Sequence, residues 1–287
     1  MSRSRLQLLE TIQSFRKARQ SLPPISTLGF IPTMGGLHKG HLHLIQNARS
    51  QCDQIVVSIF VNPLQFGPNE DFHRYPRSLE ADLTLLEAED VDFVFAPSTT
   101  EMISASNSFA FQLAHFQSLP EAQMRPGHFE GVASILIKLF NVVQPTHAFF
   151  GQKDAAQCVL VRQLIDNFHF NITPQFLPIS REPNGLARST RNRYLTETER
   201  RKASVLFRGL TCAENAFKAT HSIASETLEM ILRKEFATES LLTEIEYISI
   251  ANRNTMTPIE RVDADGAIIS IAVQFANCRL IDAIFLE

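Results

Sequence analysis

Ile31-Pro-Thr-Met-Gly-Gly-Leu-His-Lys-Gly-His41 decides the fold. It is a glycine-rich turn between an apolar run, Leu28 to Pro32, and an amphipathic segment over 41–51 that places Leu42, Ile45, Ala48 and Cys52 at helical spacing. The run predicts a short buried strand, Gly35, Gly36 and Gly40 permit tight turns and close backbone approach, and a helix is expected to begin near His41. Unpaired backbone N–H groups at such a helix start face an anion, so the segment reads as a nucleotide-phosphate site. One helical turn brings His38 and His41 to one side, where imidazole N–H groups can donate to phosphate oxygens, while His43 faces elsewhere. Zinc binding by the three histidines is a weaker alternative, because no cysteine or carboxylate stands at ligand spacing nearby.

Outward from this turn the pattern alternates. A helix is expected over Arg5 to Ala18, and beyond 41–51 come an apolar run at Ile55–Val61, a helix at 78–89 and a run at Val91–Phe95. A further unit follows: a helix from Gly131 to Val143, a run at His147–Phe150, a helix from Ala155 to Phe168 and a run near Gln175–Ile179. Alternation of this kind implies an α/β fold, a Rossmann-like parallel sheet with helices on both faces. Ile55–Val61 is too continuously apolar for a solvated face and is expected to be central. From Glu182 the rhythm changes to two long helices, about 196–219 and 222–236, and then to runs at Glu244–Ile250, Ala267–Gln274 and Leu280–Leu286. The turn-rich Arg181-Glu-Pro-Asn-Gly185 therefore divides an expected domain 1–182 from a smaller α+β domain 183–287 with an antiparallel sheet.

Composition narrows the function. The 287 residues are 44% hydrophobic and 20% charged, ordinary for a globular protein, and the formal net charge of −3 lacks the basic footprint of a nucleic-acid binder. Cys52, Cys158, Cys212 and Cys278 form no CxxC pair, which fits a reducing cytoplasm. The N-terminal Met-Ser-Arg-Ser-Arg5 has no apolar signal-peptide core, and no run approaches the roughly 18 apolar residues that span a bilayer, so a soluble cytoplasmic protein is expected.

Three other segments carry chemistry. Val61-Asn-Pro-Leu-Gln-Phe-Gly67 follows the central run, so Asn62 and Gln65 stand at a strand's C-terminal edge as neutral amides suited to a hydroxylated ligand, although Asn-Pro is also an ordinary turn initiator. Gly151-Gln-Lys-Asp-Ala-Ala-Gln157 opens a helix: Lys153 can neutralise phosphate, Asp154 can cap the helix, and Gln157 lies a turn further on. The segment 181–202 holds seven basic and three acidic residues; in it Ser189, Thr190 and Arg191 offer hydroxyls and a guanidinium suited to phosphates in nucleotidyl transfer. A solvated basic loop is the alternative there.

Together these segments closely resemble the pantothenate synthetase (pantoate:β-alanine ligase) family over most of the chain. PTMGxLHxGH, VNPxQFG, Tyr75-Pro-Arg77, RPxHFxGV from Arg125 to Val132, FFGxKDxxQ and SxRNRYL occur in that order. HxGH and the Ser/Arg loop look more distantly like the HIGH and KMSKS elements of class I aminoacyl-tRNA synthetases. The resemblance implies an ATP-dependent condensation of pantoate with β-alanine through a pantoyl-adenylate. It implies ATP contacts from Met34, His38, His41, Gly151, Lys153, Asp154, Ser189, Thr190 and Arg191, with His38, His41, Lys153 and Arg191 acting in catalysis. Gln65 and Gln157 would hold pantoate, Asn62 would lie near the substrates, and Asp82 matches an acidic position associated with Mg2+. It further implies a homodimer whose small domain covers the site. Ala81, Gln152, Ala155, Arg188 and Thr190 depart from the family pattern, the first two each removing a carboxylate. A nucleotidyltransferase with a phosphorylated acceptor and a nucleotide-binding protein without turnover are the competing readings.

Overall fold

The computed structural model describes residues 6–68, 70–104 and 110–287. The chain forms two compact units. The first takes the chain up to Ser118 with Arg125–Phe150 and Leu160–Leu177; the second takes Leu119–Met124, Gly151–Val159 and Pro178–Glu287.

In the first unit, apolar runs become β1 (Gln7–Leu9), β2 (Leu28–Thr33), β3 (Gln54–Ile59), β4 (Phe93–Phe95), β5 (His147–Gly151) and β6 (Thr173–Leu177). They form one sheet in the order β1-β4-β3-β2-β5-β6. The pairings of β1 with β4, β3 with β4, and β2 with β3 and β5 are all parallel. Ile55, Val56, Val57 and Ser58 are all buried, as a strand covered on both faces requires. The helices of this unit are α1 (Ile12–Gln20), α2 (Lys39–Arg49), α3 (Leu79–Ala88), the short α4 (Thr99–Met102), α6 (His128–Val143) and the later part of α7 (Ala155–Asn167); the short α5 (Pro120–Met124) and the first turn of α7 belong to the second unit. Ile31, Ile45, Ala48, Val57, Leu86 and Phe149 meet in a core between α2, α3 and the sheet. The chain passes from β2 to β3 and β4 on one side and returns to β5 on the other, which makes the C-terminal ends of β2 and β5 the switch point of the sheet.

The helix expected from Arg5, a residue outside the described ones, is corrected. Gln7–Leu9 is a strand, and Thr11 starts α1 with a reciprocal capping pair to Ser14. Leu8 is exposed on this edge strand, so its local pattern carries little strand signal; pairing with Phe93–Phe95 decides it.

The second unit packs α8 (Glu197–Lys202), α9 (Val205–Thr220) and α10 (Ser225–Phe236) with strands β7 (Ile223–Ala224), β8 (Leu242–Ala251), β9 (Arg261–Val262), β10 (Ala267–Phe275) and β11 (Cys278–Leu286). The three long strands form an antiparallel sheet in the order β11-β10-β8. Leu206, Leu210, Phe217, Leu228, Phe236, Ile269 and Val273 fill the space between helices and sheet. The single helix expected over 196–219 is broken after Lys202, where the Ser204 hydroxyl bonds back to the Arg201 carbonyl at 2.7 Å in competition with the helix ladder.

Candidate functional site

The glycine turn leaves β2 at Thr33, whose hydroxyl donates to the Ser58 carbonyl of β3 at 2.7 Å and accepts from the Gly35 N–H at 3.1 Å. Gly35 and Gly36 follow with φ of 80° and 64°, a left-handed conformation that favours glycine. A Cβ on Gly35 would stand 3.0 Å from Asp82 Oδ2. Asp82 sits in α3 and is buried, with Oδ2 accepting from the Gly36 N–H and Oδ1 from the Leu37 N–H, both at 2.8 Å. Beside Met34 and Asp82 lies a cavity of about 280 Å³ also walled by Phe72, Arg77 and Ser98.

Helix α2 starts two residues earlier than its pattern predicts, because His38 is its N-cap. His38 Nδ1 accepts from the Gly40 N–H at 3.0 Å, and His41 Nδ1 accepts from the His38 N–H at 3.3 Å. An Nδ1 that accepts an N–H carries no proton, so each neutral imidazole presents Nε2–H as a donor. The ring centroids are 4.1 Å apart, making the pair one donor surface at a helix N-terminus. His43 is exposed, and among the described residues no group of three His, Cys, Asp or Glu side chains is arranged to hold a metal ion.

Past β3, Asn62 caps the single turn Pro63–Gln65 by accepting from the Leu64 N–H at 3.2 Å. Its amide donates to Gln65 Oε1 at 3.0 Å and to the Gly131 carbonyl at 3.1 Å. Asn62 is buried with both oxygen and nitrogen engaged, whereas Gln65 is half-buried with its nitrogen turned away from that contact. This division between an inner and an outer amide is invisible in the sequence.

In the second unit, Gly151 ends β5, and Asp154 starts α7 through its carbonyl, which accepts from the Cys158 N–H at 3.1 Å. Lys153 Nζ stands 3.7 Å from Asp154 Oδ2, and Gln157 is half-buried in the first turn of α7. The Ser/Arg loop forms a 3-10 turn over Thr190–Tyr194, capped by the Ser189 hydroxyl, which accepts from the Arg191 N–H at 3.3 Å. Thr190 is buried, and Asn192, whose residue type alone gives no sign of the role, anchors the turn to Glu182 Oε1 at 3.1 Å and the Ala187 carbonyl at 3.0 Å. Upstream, Arg181 grips the buried Asp282 of β11 with two bonds of 2.7 and 3.0 Å. Burial pushes the Asp282 carboxyl up from its ordinary value, against the pull of Arg181.

A parallel sheet with a glycine turn and a histidine pair at the C-terminal end of β2 makes this an α/β protein of the Rossmann-like kind. Residues 7–285 match the family model for Pantoate-beta-alanine ligase. The pantothenate synthetase of Chloroflexus aurantiacus is 47% identical over 283 residues, covering 98% of this chain and 99% of that protein. That of Fervidobacterium nodosum is 42% identical, covering 98% of this chain and 100% of that one. The crystal structure of pantothenate synthetase from Thermus thermophilus matches with a TM-score of 0.89 at 38% identity, covering 97% of this chain and 98% of that one. The Francisella tularensis pantoate-beta-alanine ligase, complexed with beta-gamma ATP and beta-alanine, matches with a TM-score of 0.79 at 32% identity, covering 98% and 97%. The chain belongs to the pantoate–β-alanine ligase family.

Proposed function

We propose that this chain condenses pantoate with β-alanine at the expense of ATP, with the two histidines, Lys153 and the Ser/Arg turn binding the nucleotide and Gln65 and Gln157 binding pantoate. The observation that carries the proposal is the His38–His41 pair at the start of α2, two rings with centroids 4.1 Å apart whose Nδ1 atoms each accept a backbone N–H, which puts the proton of both on Nε2.

A carboxylate has no leaving group for an amine to displace, and ATP supplies one. One pantoate carboxylate oxygen attacks the α-phosphorus, the bond to the β-phosphate oxygen breaks, and pyrophosphate departs. The amine of β-alanine then attacks the acyl carbon, releasing AMP, pantothenate and a proton. Negative charge builds on the phosphate oxygens in the first step, where Lys153 and Arg191 add fixed positive charge and His38 and His41 add hydrogen bonds. The helix start alone contributes only about 0.3–1 kcal/mol at an exposed site. Holding two reactants in attack geometry contributes about 7–11 kcal/mol, so the two glutamines matter as much as the charges.

ATP would bring Mg2+ as part of the co-substrate, and the ion would supply positive charge to the phosphates. Asp82 is the carboxylate beside the turn; each of its oxygens accepts one backbone N–H and keeps a further lone pair with which to meet the hydrated ion. The same reading makes the protein a cytoplasmic homodimer. None of the four cysteines is in a disulfide, and among the described residues no helix is long and apolar enough to cross a membrane.

Chromatography of products after incubation with ATP, Mg2+ and pantoate tests this reading. AMP and pantothenate are expected only when β-alanine is added; a product that retains the nucleotide would establish a nucleotidyltransferase instead, and ATP binding without AMP or pyrophosphate a binding protein.

A further inference from the structure

Arg125-Pro-Gly-His128 belongs to a motif that neither the nucleotide nor the pantoate contacts use, yet it converges on Gln65. His128 Nδ1 lies 2.9 Å from the Gln65 carbonyl, and Arg125 Nη1 lies 3.0 Å from His128 Nε2. A carbonyl only accepts and a guanidinium only donates, so Nδ1 carries the proton and Nε2 a lone pair: these two contacts select the neutral Nδ1–H tautomer. Arg125 is itself held by Glu70, which takes its Nε at 2.9 Å and Nη2 at 2.7 Å, and Nη2 also reaches the Gln65 carbonyl at 3.4 Å. From the other side α6 presses its backbone onto the same turn. A Cβ on Gly131 would stand 2.1 Å from the Leu64 carbonyl oxygen and 2.7 Å from the Gln65 nitrogen. The peptide at Gln65 is thus fixed by one residue pair from outside and by a helix backbone from behind, while Asn62 fixes the side-chain oxygen.

We infer that Arg125 and His128 are positioning residues for the adenylation step: they clamp the Gln65 backbone so that its side-chain nitrogen is presented to pantoate. The inference rests on the proposed role of Gln65. A misplacement of about 1 Å in a reactant can cost about 10²-fold in rate, so a clamp on this peptide acts on catalysis without touching substrate.

Pantoate-dependent exchange of labelled pyrophosphate into ATP reads the step without β-alanine. His128→Asn keeps an amide donor where Nδ1 stands, whereas His128→Gln moves it toward the Nε2 position, so two variants of similar polarity separate clamp from fold. His128→Gln is expected to raise KM for pantoate about 3–10-fold, the loss of one hydrogen bond, with KM for ATP unchanged and His128→Asn close to wild type. In a Gln65→Ala background, itself raised in KM for pantoate, His128→Gln is expected to add nothing. Equal behaviour of the Asn and Gln variants, a matching rise in KM for ATP, or full additivity with Gln65→Ala overturns the clamp while leaving Gln65 as a pantoate contact. An unchanged KM for pantoate in Gln65→Ala overturns the Gln65 reading and the clamp with it.

Discussion

Asp82 Oδ2 accepts a 2.8 Å hydrogen bond from the Gly36 N–H, tying a buried helical carboxylate to a peptide of the glycine turn. With the second bond to Leu37, the two oxygens of one carboxylate accept from two successive backbone donors of the turn. Asp82→Asn sets an amide N–H against a backbone N–H and is expected to cost about 1–3 kcal/mol of stability and to weaken ATP binding. Urea denaturation and nucleotide titration read both; wild-type values for both would show that the turn does not depend on this carboxylate.

Lys153 pairs only loosely with Asp154, at 3.7 Å and with the aspartate half exposed, a contact worth about 0–1 kcal/mol. Its ammonium is therefore available to phosphate. Lys153→Ala is expected to slow single-turnover adenylate formation by about 10²-fold or more while shifting the melting temperature little. A near-normal single-turnover rate would remove Lys153 from the mechanism.

The Arg181–Asp282 pair closes the second unit across 101 residues, with the Asp282 side chain only 1% exposed. Arg181→Met removes its ion partner and leaves that buried carboxylate only the Ala283 N–H at 2.8 Å and the more distant charge of Lys153, and is expected to cost about 3–5 kcal/mol at neutral pH. Burial raises the Asp282 carboxyl in the folded state, and losing Arg181 raises it further. A raised carboxyl contributes stability below its usual value of 3.8 and loses it as pH rises through the folded value. The variant's deficit is thus expected to shrink on acidification; denaturation at pH 7 and pH 5 that gives one constant deficit would contradict this.

Glu70 has the opposite sign. Burial raises its carboxyl, but the lowering contributions, led by the hydrogen bonds and charge of Arg125 and joined by a backbone bond from Gly67, together leave it below the usual 4.5. Its contribution is present above that value and lost as pH falls through the lower folded value. Arg125→Met should flatten the acid limb of the stability profile below about pH 4.5, which urea midpoints between pH 3 and 6 would measure.

Sequence pattern carried the parts of this protein that are local. The buried runs at β2 and β3, the glycine turn and the helix after it are legible because glycine, apolar continuity and helical spacing agree within thirty-two residues, 28–59. The three long strands of the second unit are legible for the same reason. What stayed hidden depends on partners distant in the chain. β1 is a strand only because β4 receives it, and Asp82, marked in the sequence as a candidate for Mg2+, shows its tie to the glycine turn only where the Gly36 and Leu37 N–H groups reach it. The inner role of Asn62 depends on the Gly131 carbonyl, 69 residues on, and that of Arg125 on Glu70.

The acyl-adenylate itself is tested most directly by oxygen transfer. Pantoate labelled with 18O in its carboxylate, incubated with ATP, Mg2+ and β-alanine, is predicted to deliver one labelled oxygen to AMP and to keep the other in the pantothenate amide. Unlabelled AMP beside labelled pantothenate would mean that the carboxylate oxygen never bonded to the α-phosphorus, and would contradict the mechanism.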